Sequence, residues 1–403
     1  MKIATILFTY NRPVHTQKVL YALSQNDVRP QKLIIFQDGM NSATDKKDWE
    51  TVGEAIKNIT WCETEIHITE KNKGLANSIV QGIDYAFQTY DAVIVLEDDC
   101  VPHCKFMSFM YQCLERYQGE KRVYSVGGCP EPIDLDKVPG VDVYFCGRFS
   151  SLGWGTWKDR WREYERDYSI LKRIKLNRDC RERLHVWGSD LESHLLGNIS
   201  GECDSWAVFW ALKLIEKNGY FLCPYESLIT NIGFDGSGVH SGIERIDREY
   251  RADDNMEDFI FPNQIEITES AQMGYMDMLH ITPRVERDRS YKELLCRWVE
   301  LKQEKRSIEY EFCEREVAVW GKGWLLELLQ KEFGEKMQVK CILETYPTSE
   351  AYRGIPVYSV NEIPEEIDTV IVIPFCDIEI IKRKIIRRRP DIKRIFGADE
   401  IIK

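Results

Sequence analysis

The stretch that most constrains this chain is Ala-Val-Ile-Val-Leu-Glu-Asp-Asp at 92–99. An unbroken apolar run of that length reads as a strand buried on both faces, as in the centre of a parallel sheet. It ends in three adjacent acids, Glu97, Asp98 and Asp99. Open α/β sheets bind ligands beyond the carboxyl ends of such strands. Three neighbouring carboxylates repel one another there, and a divalent cation is the simplest compensation. Oxygen donors of this kind suit Mg2+ or Mn2+, which in turn hold phosphates. The residues thus point to an enzyme that handles a nucleotide diphosphate.

The surrounding pattern extends the sheet. Strands are expected at 3–8, 33–36, 66–69 and 92–96. A helix opening at Pro13, a favoured first-turn residue, would turn Val19, Leu20 and Leu23 inward. Another would align Leu75, Ile79, Ile83 and Phe87 on one face. This alternation predicts an α/β fold with a doubly wound, Rossmann-like, mostly parallel sheet. The polar residues after each strand then share one edge: Thr9, Asn11 and Arg12; Gln37 and Asp38; Asn72 and Lys73; and the acidic triplet. Loops are polar in most proteins, so the weight rests on their joint placement.

At 403 residues the chain has room for two or three domains. Its net charge of -12 argues against a general nucleic-acid binder. The first residues, MKIATILFTYNRP, read as strand and helix start and not as a signal peptide. No run reaches the roughly 18 apolar residues that a membrane span needs. The 13 cysteines are odd in number and irregularly spaced, which reads as reduced thiols of a cytosolic protein. A zinc site of His103 with Cys100 and Cys104 is set aside, because structural zinc ligands usually come as two separated pairs.

Three regions are expected: residues 1–260, a connecting helical arm at 261–308 with a helix over 291–303, and a small Rossmann-like domain at 309–403. Within the first, residues 100–260 are rich in tryptophan (Trp154, Trp157, Trp161, Trp187, Trp206, Trp210) and in glycine at 147–155 and 233–242. That composition suggests loops and short strands forming a binding face on which sugar rings stack, with Trp210, beside Leu212 and Leu214, as core. In the third region, strands are expected at 317–320, 339–343 and 369–373, with helices over 324–333 and about 377–388. The turn Gly321-Lys322-Gly323 and Glu344 mimic part of a dinucleotide fingerprint. The third glycine is missing, so a structural or partner-binding appendage is favoured over an NAD site. Seven Lys or Arg between Lys382 and Lys393 read as a solvated helix face; the sharper alternative is peripheral contact with an anionic inner membrane leaflet.

The segments FTYNRP (8–13), QDG (37–39), KGLANS (73–78), VIVLEDDCVP (93–102), SLGWGTW (151–157) and SLITNIGFDGSGVHSG (227–242) resemble nucleotide-sugar glycosyltransferases of the GT-A fold. The likeness covers about residues 1–245 and is to N-acetylglucosaminyltransferase I and bacterial surface-polysaccharide glycosyltransferases. It implies an inverting, metal-dependent transfer of a hexosyl or N-acetylhexosaminyl group from a UDP-sugar to a glycan or lipid-linked acceptor, with Mn2+ or Mg2+ as cofactor. It implies that Asp38 accepts from the uracil and Arg12 faces the diphosphate, with Thr9 and Asn11 alongside. Lys73 and Asn77 would begin the donor-binding helix. Asp99 would hold the metal, Glu97 and Asp98 would bind water, ribose or sugar, and Trp154 would shape the sugar pocket. Asp204, before Trp206, matches the base, with Glu202 in reserve; the relatives carry two acids directly before the tryptophan, whereas Ser205 intervenes here. Without the likeness, Asp204 reads as a helix N-cap. His240, between glycines, would reach back to the metal from a mobile lid. Two other classes compete. A sugar nucleotidyltransferase would want a basic, glycine-rich phosphate loop, which residues 8–13 lack, and a non-catalytic glycan-binding protein has no need of the triplet.

Overall fold

Along β1 (Ile3–Thr9), Ala4, Ile6 and Phe8 enter one apolar cluster while Ile3 and Leu7 enter another, so the strand is covered on both faces. This is seen in a computed structural model that describes residues 1–41, 46–133, 135–233, 258–279, 284–303, 315–344, 350–374 and 378–401. The chain forms two compact units, Met1–Leu279 and His280–Lys403.

In the first unit β1 is followed by α1 (Pro13–Ser24), β2 (Leu33–Gln37), α2 (Lys46–Lys57), β3 (Thr64–Ile68), α3 (Leu75–Ala86) and β4 (Ala92–Glu97). The four strands pair in parallel in the order β3-β2-β1-β4. This is the expected α/β class. Val19, Leu20 and Leu23 are buried, as are Ile79, Ile83 and Phe87. Leu75 is a correction: as the first residue of α3 it is 40% exposed.

Beyond β4 come β5 (Cys100–Pro102), α4 (Phe106–Arg116), β6 (Val123–Gly127), β7 (Val143–Cys146) and β8 (Trp154–Trp157). Next are α5 (Lys158–Trp161), α6 (Ile170–Leu176), α7 (Arg178–Gly188), α8 (Leu191–Ser200) and α9 (Ala207–Lys217). The unit ends with β9 (Tyr220–Pro224), β10 (Ile229–Asn231) and α10 (Glu269–Met278). The sheet continues β4-β8-β6-β9-β7, with β8 and β7 antiparallel to their neighbours and β6 parallel to β9.

The expectation of loops and short strands for 100–260 is corrected over 158–217, which is largely helical. The six tryptophans are buried and face protein. Trp154 stacks on Trp206 with ring centroids 5.2 Å apart, and Trp161 stacks on Tyr164 at 4.4 Å. Trp210 is core as expected, its Nε1 donating to Ser125 Oγ at 2.9 Å. Rings of this size supply large apolar burial, and here they join the helical layer to the sheet.

The second unit opens with α11 (Arg284–Gln303) and continues β11 (Arg315–Trp320), α12 (Trp324–Phe333), β12 (Met337–Glu344), β13 (Ala351–Tyr352), β14 (Ile355–Ser359), β15 (Thr369–Val372), α13 (Ile378–Arg388), β16 (Arg394–Gly397) and α14 (Ala398–Ile401). Its sheet order is β13-β14-β12-β11-β15-β16, parallel except for β13. Ile381 and Ile385 of α13 point inward. The residues read as a connecting arm divide between the units. In α10, Ala271 and Tyr275 join a core of the first unit, while in α11, Leu294 and Trp298 join a core of the second. Among the described residues every cysteine is a free thiol, and no helix is long and apolar enough to cross a membrane.

Candidate functional site

The chain leaves β1 for β2 and β3 on one side, then crosses to place β4 on the other. The carboxyl ends of β1 and β4 therefore flank a topological switch point, where open α/β sheets bind ligands. Arg12 follows β1 there and the acidic triplet closes β4, with Phe8 and Glu97 in register. Arg12 Nη2 bridges the two aspartates, donating to Asp98 Oδ1 and, at 2.9 Å, to Asp99 Oδ2. Its Nη1 is buried with no protein acceptor. Asp98 is buried, and Asp99 keeps 16% of its side chain exposed.

One guanidinium thus faces three carboxylates. Burial, then the charges of Asp99 and Asp98, push the Glu97 carboxyl up to about 8. Burial likewise raises Asp98, against the pull of Arg12. The charge balance has a consequence for stability. In the unfolded chain Glu97 ionises near its ordinary pKa of about 4.3, whereas folded it holds its proton to about 8. Stability is therefore lost as pH rises across that window. Glu97→Gln is expected to stabilise the metal-free protein by an amount that is absent below pH of about 4, grows toward pH 8 and then levels off. Denaturation midpoints across that range would show it, and a gain independent of pH would contradict it.

The segment 229–233, part of the glycine-rich stretch picked out in the sequence, lies against the triplet. β10 pairs antiparallel with β5 and carries Ile232 and Gly233 onto Asp99. The Ile232 N–H donates to the Asp99 carbonyl at 2.9 Å, and His15 Nε2 lies 3.2 Å from the Ile232 carbonyl. A Cβ on Gly233 would fall 2.2 Å from Asp99 Oδ2, so only glycine lets the carboxylate sit here. His240 lies outside the described residues, seven positions beyond Gly233.

Asp38 ties the end of β2 to the loop before α3. Its Oδ1 accepts from Gly39 N–H (2.9 Å), Thr69 Oγ1 (3.1 Å) and Lys73 N–H (3.0 Å), and its Oδ2 from Gly74 N–H (3.0 Å). Asp38 acts as a clamp that draws the β3–α3 loop to the end of β2. Asn72 adds to it by donating to the Gly39 carbonyl at 2.8 Å. The loop passes so close that a Cβ on Gly39 would meet the Lys71 carbonyl carbon at 2.3 Å. Asp38→Ala is expected to cost about 3 kcal/mol, the scale of losing charge-assisted bonds and stranding buried donors, read as a lowered urea midpoint. An unchanged midpoint would contradict the clamp.

The other predicted residues are placed as follows. Thr9 is buried, its hydroxyl 3.4 Å from the Phe36 carbonyl. Asn11 lies at the mouth of the switch point, between β1 and Arg12. Lys73 Nζ donates to Gln81 Oε1 at 2.8 Å, and Asn77 Nδ2 donates to the Lys73 carbonyl at 2.9 Å, so both brace the start of α3. Trp154 is fully buried, stacked on Trp206 and at right angles to Phe149, so it presents no free ring. Asp204 is not an N-cap; α9 begins after Trp206, with no side-chain cap. Asp204 pairs with Arg166 at 3.0 Å, and its side chain is 53% exposed. Glu202 is exposed in the turn after α8, its N–H donating to the Gly197 carbonyl at 2.9 Å. Trp206 stacks on Trp154, which pairs with Val95 near the end of β4.

Asp98 and Asp99 converge on one cationic atom, Arg12 Nη2, which marks a place where positive charge is held. Among the described residues no group of three or more His, Cys, Asp or Glu converges as a cage. One or two carboxylates completed by phosphate oxygens and water is the usual way Mg2+ is held, so the residues fit such an ion.

No protein-family model matches the chain, and no curated protein matches it. Solved structures overlap it in part. A mannosyltransferase from Pyrobaculum calidifontis, in complex with GDP-Man and Mn2+, is 14% identical over 43% of this chain and 46% of that one, with a TM-score of 0.29. Residues 1–349 of S. aureus TarS are 11% identical over 57% of this chain and 60% of that one, at 0.33. A cytidylyltransferase from Leptospira borgpetersenii is 11% identical over 44% and 64%, at 0.26. The chain spans less than two thirds of each of these structures.

Proposed function

We propose that the first unit is a metal-dependent, inverting glycosyltransferase of the GT-A type that takes a UDP-sugar as donor. The observation that carries this reading is Arg12 held between Asp98 and Asp99 at the switch point, one cation against three carboxylates. A site with surplus negative charge and an orphaned guanidinium N–H is suited to a metal–diphosphate pair, which brings both a cation and acceptor oxygens. Asp99 would ligate Mn2+ or Mg2+, and the ion would neutralise charge on the departing diphosphate. Arg12 would turn its Nη1 to a phosphate oxygen. The exposed Asp204 would take the proton of the acceptor hydroxyl as its oxygen bonds to the sugar carbon and the bond to the diphosphate breaks; Glu202 is the reserve base. His240 is proposed to approach the metal from beyond Gly233. A glycan or lipid-linked acceptor fits surface polysaccharide synthesis, with the basic face of α13 against an anionic inner leaflet. The GT-A resemblance of the sequence segments supports the class.

A thermal-shift screen of nucleotide sugars with and without Mn2+ tests the reading. A ligand at about 100 times its Kd adds about 2.7 kcal/mol to the folded state, so a UDP-sugar with Mn2+ should raise Tm by several degrees, and neither alone should match it. No shift with any nucleotide sugar, with Mn2+ present, would refute the proposal.

A further inference from the structure

The second unit repeats the logic that located the first site. From β11 the chain runs outward to β12 and β14, then crosses to β15 on the other side of β11. Its switch point lies between the carboxyl ends of β11 and β15. A cleft of about 570 Å³ opens there, lined by Lys322, Gly323 and Trp324 after β11, by Ile373 after β15, and by Tyr291 and Lys292 of α11. That size lies within the range of about 300–1,000 Å³ usual for small-molecule sites.

Its lining combines a flat aromatic surface with positive charge. Trp324 is 50% exposed, unlike the six buried tryptophans of the first unit. Tyr291 meets it edge-on at 6.1 Å and is held by its hydroxyl, which donates to the Ile373 carbonyl at 3.2 Å. Lys322 and Lys292 supply two ammonium groups, and Lys322 also reaches Glu344 at the end of β12, 2.9 Å away. The turn that carries Lys322 needs glycine, since Gly321 and Gly323 have φ of +95° and +127°. A dinucleotide is disfavoured: Leu326 stands where the third fingerprint glycine would be and is fully buried in the core, which keeps α12 from packing closely on the sheet.

We propose that this cleft binds a mononucleotide, with its base against Trp324 and its phosphates beside Lys322 and Lys292. The proposal does not depend on the glycosyltransferase reading. The test uses the full chain and a fluorescently labelled ADP or UDP, titrated by anisotropy in excess EDTA, which removes any metal-dependent binding at the first site. Saturable binding is expected. It should weaken about tenfold or more in Trp324→Ala, the scale of losing one base–aromatic stack, and be largely kept in Trp324→Phe. Lys292→Glu, an exposed substitution, should weaken it as well. Absence of binding in EDTA overturns the proposal, and so does binding that Trp324→Ala and Lys292→Glu leave unchanged. Binding lost in Arg12→Ala but kept in Trp324→Ala would assign the signal to the first site and also overturn it.

Discussion

Asp99→Asn should reduce sugar transfer and Mn2+ affinity together, each by more than about 100-fold. Outer partners of metal ligands alone are worth about 10–100-fold in affinity, and Asp99 is the more exposed of the two carboxylates that converge on Arg12. The amide keeps the side chain's shape but loses its charge, so the fold should hold. The Asp99 carbonyl still accepts from Ile232 N–H through the backbone, which keeps the β5–β10 pair in place. Mn2+ binding followed by paramagnetic resonance, alongside a transfer assay, reads both quantities. Full Mn2+ affinity in the variant would remove Asp99 from the metal site. Lost transfer with intact Mn2+ binding would give it another role.

Arg12→Ala should act in the opposite sense on the ion. Without the guanidinium, the partly buried Asp98 and Asp99 lose their counter-charge. Removing one partner of a buried ion pair costs about 3–5 kcal/mol; with Arg12 at 18% exposure the lower end applies. For a unit of this size about 3 kcal/mol lowers Tm by about 6 °C. Mn2+ should restore much of that loss, because it replaces the missing charge, and the variant should bind Mn2+ more tightly than the parent while binding UDP more weakly. A variant as stable as the parent, with unchanged Mn2+ affinity, would show that Arg12 and the cation do not compete for these carboxylates.

Strands β1, β2 and β4 were legible because each is a short, mostly apolar run followed by polar residues, and a run of that kind has few other places to go; β3, Thr-Glu-Ile-His-Ile at the sheet edge, showed only through its alternation with the helices. In the second unit the helix over 324–333 was legible to the residue, since turn-forming glycines flank it. The helices between 158 and 217 were not. Their aromatic and glycine content resembles that of a binding face, and composition does not reveal whether a ring faces water or another ring. Asp38 shows the same limit. An acid after a strand is visible in the chain, but three of the residues that donate to it, Thr69, Lys73 and Gly74, meet it only when β3 aligns beside β2. Gly233 carried one signal, its place in the glycine-rich stretch after β10. Its contact with Asp99 needs the β5–β10 pairing.

By itself the sequence determined that acids would gather at the carboxyl end of a central parallel strand, because hydrophobic patterning decides which segments are buried and where they must stop. Only the tertiary structure decided that Arg12, 86 positions from Asp98, would stand between two of those acids, that the tryptophans would turn inward, and that a second cleft would open beside Trp324. Charge balance and ring packing are set by groups from distant segments, and no local pattern records which segments will meet.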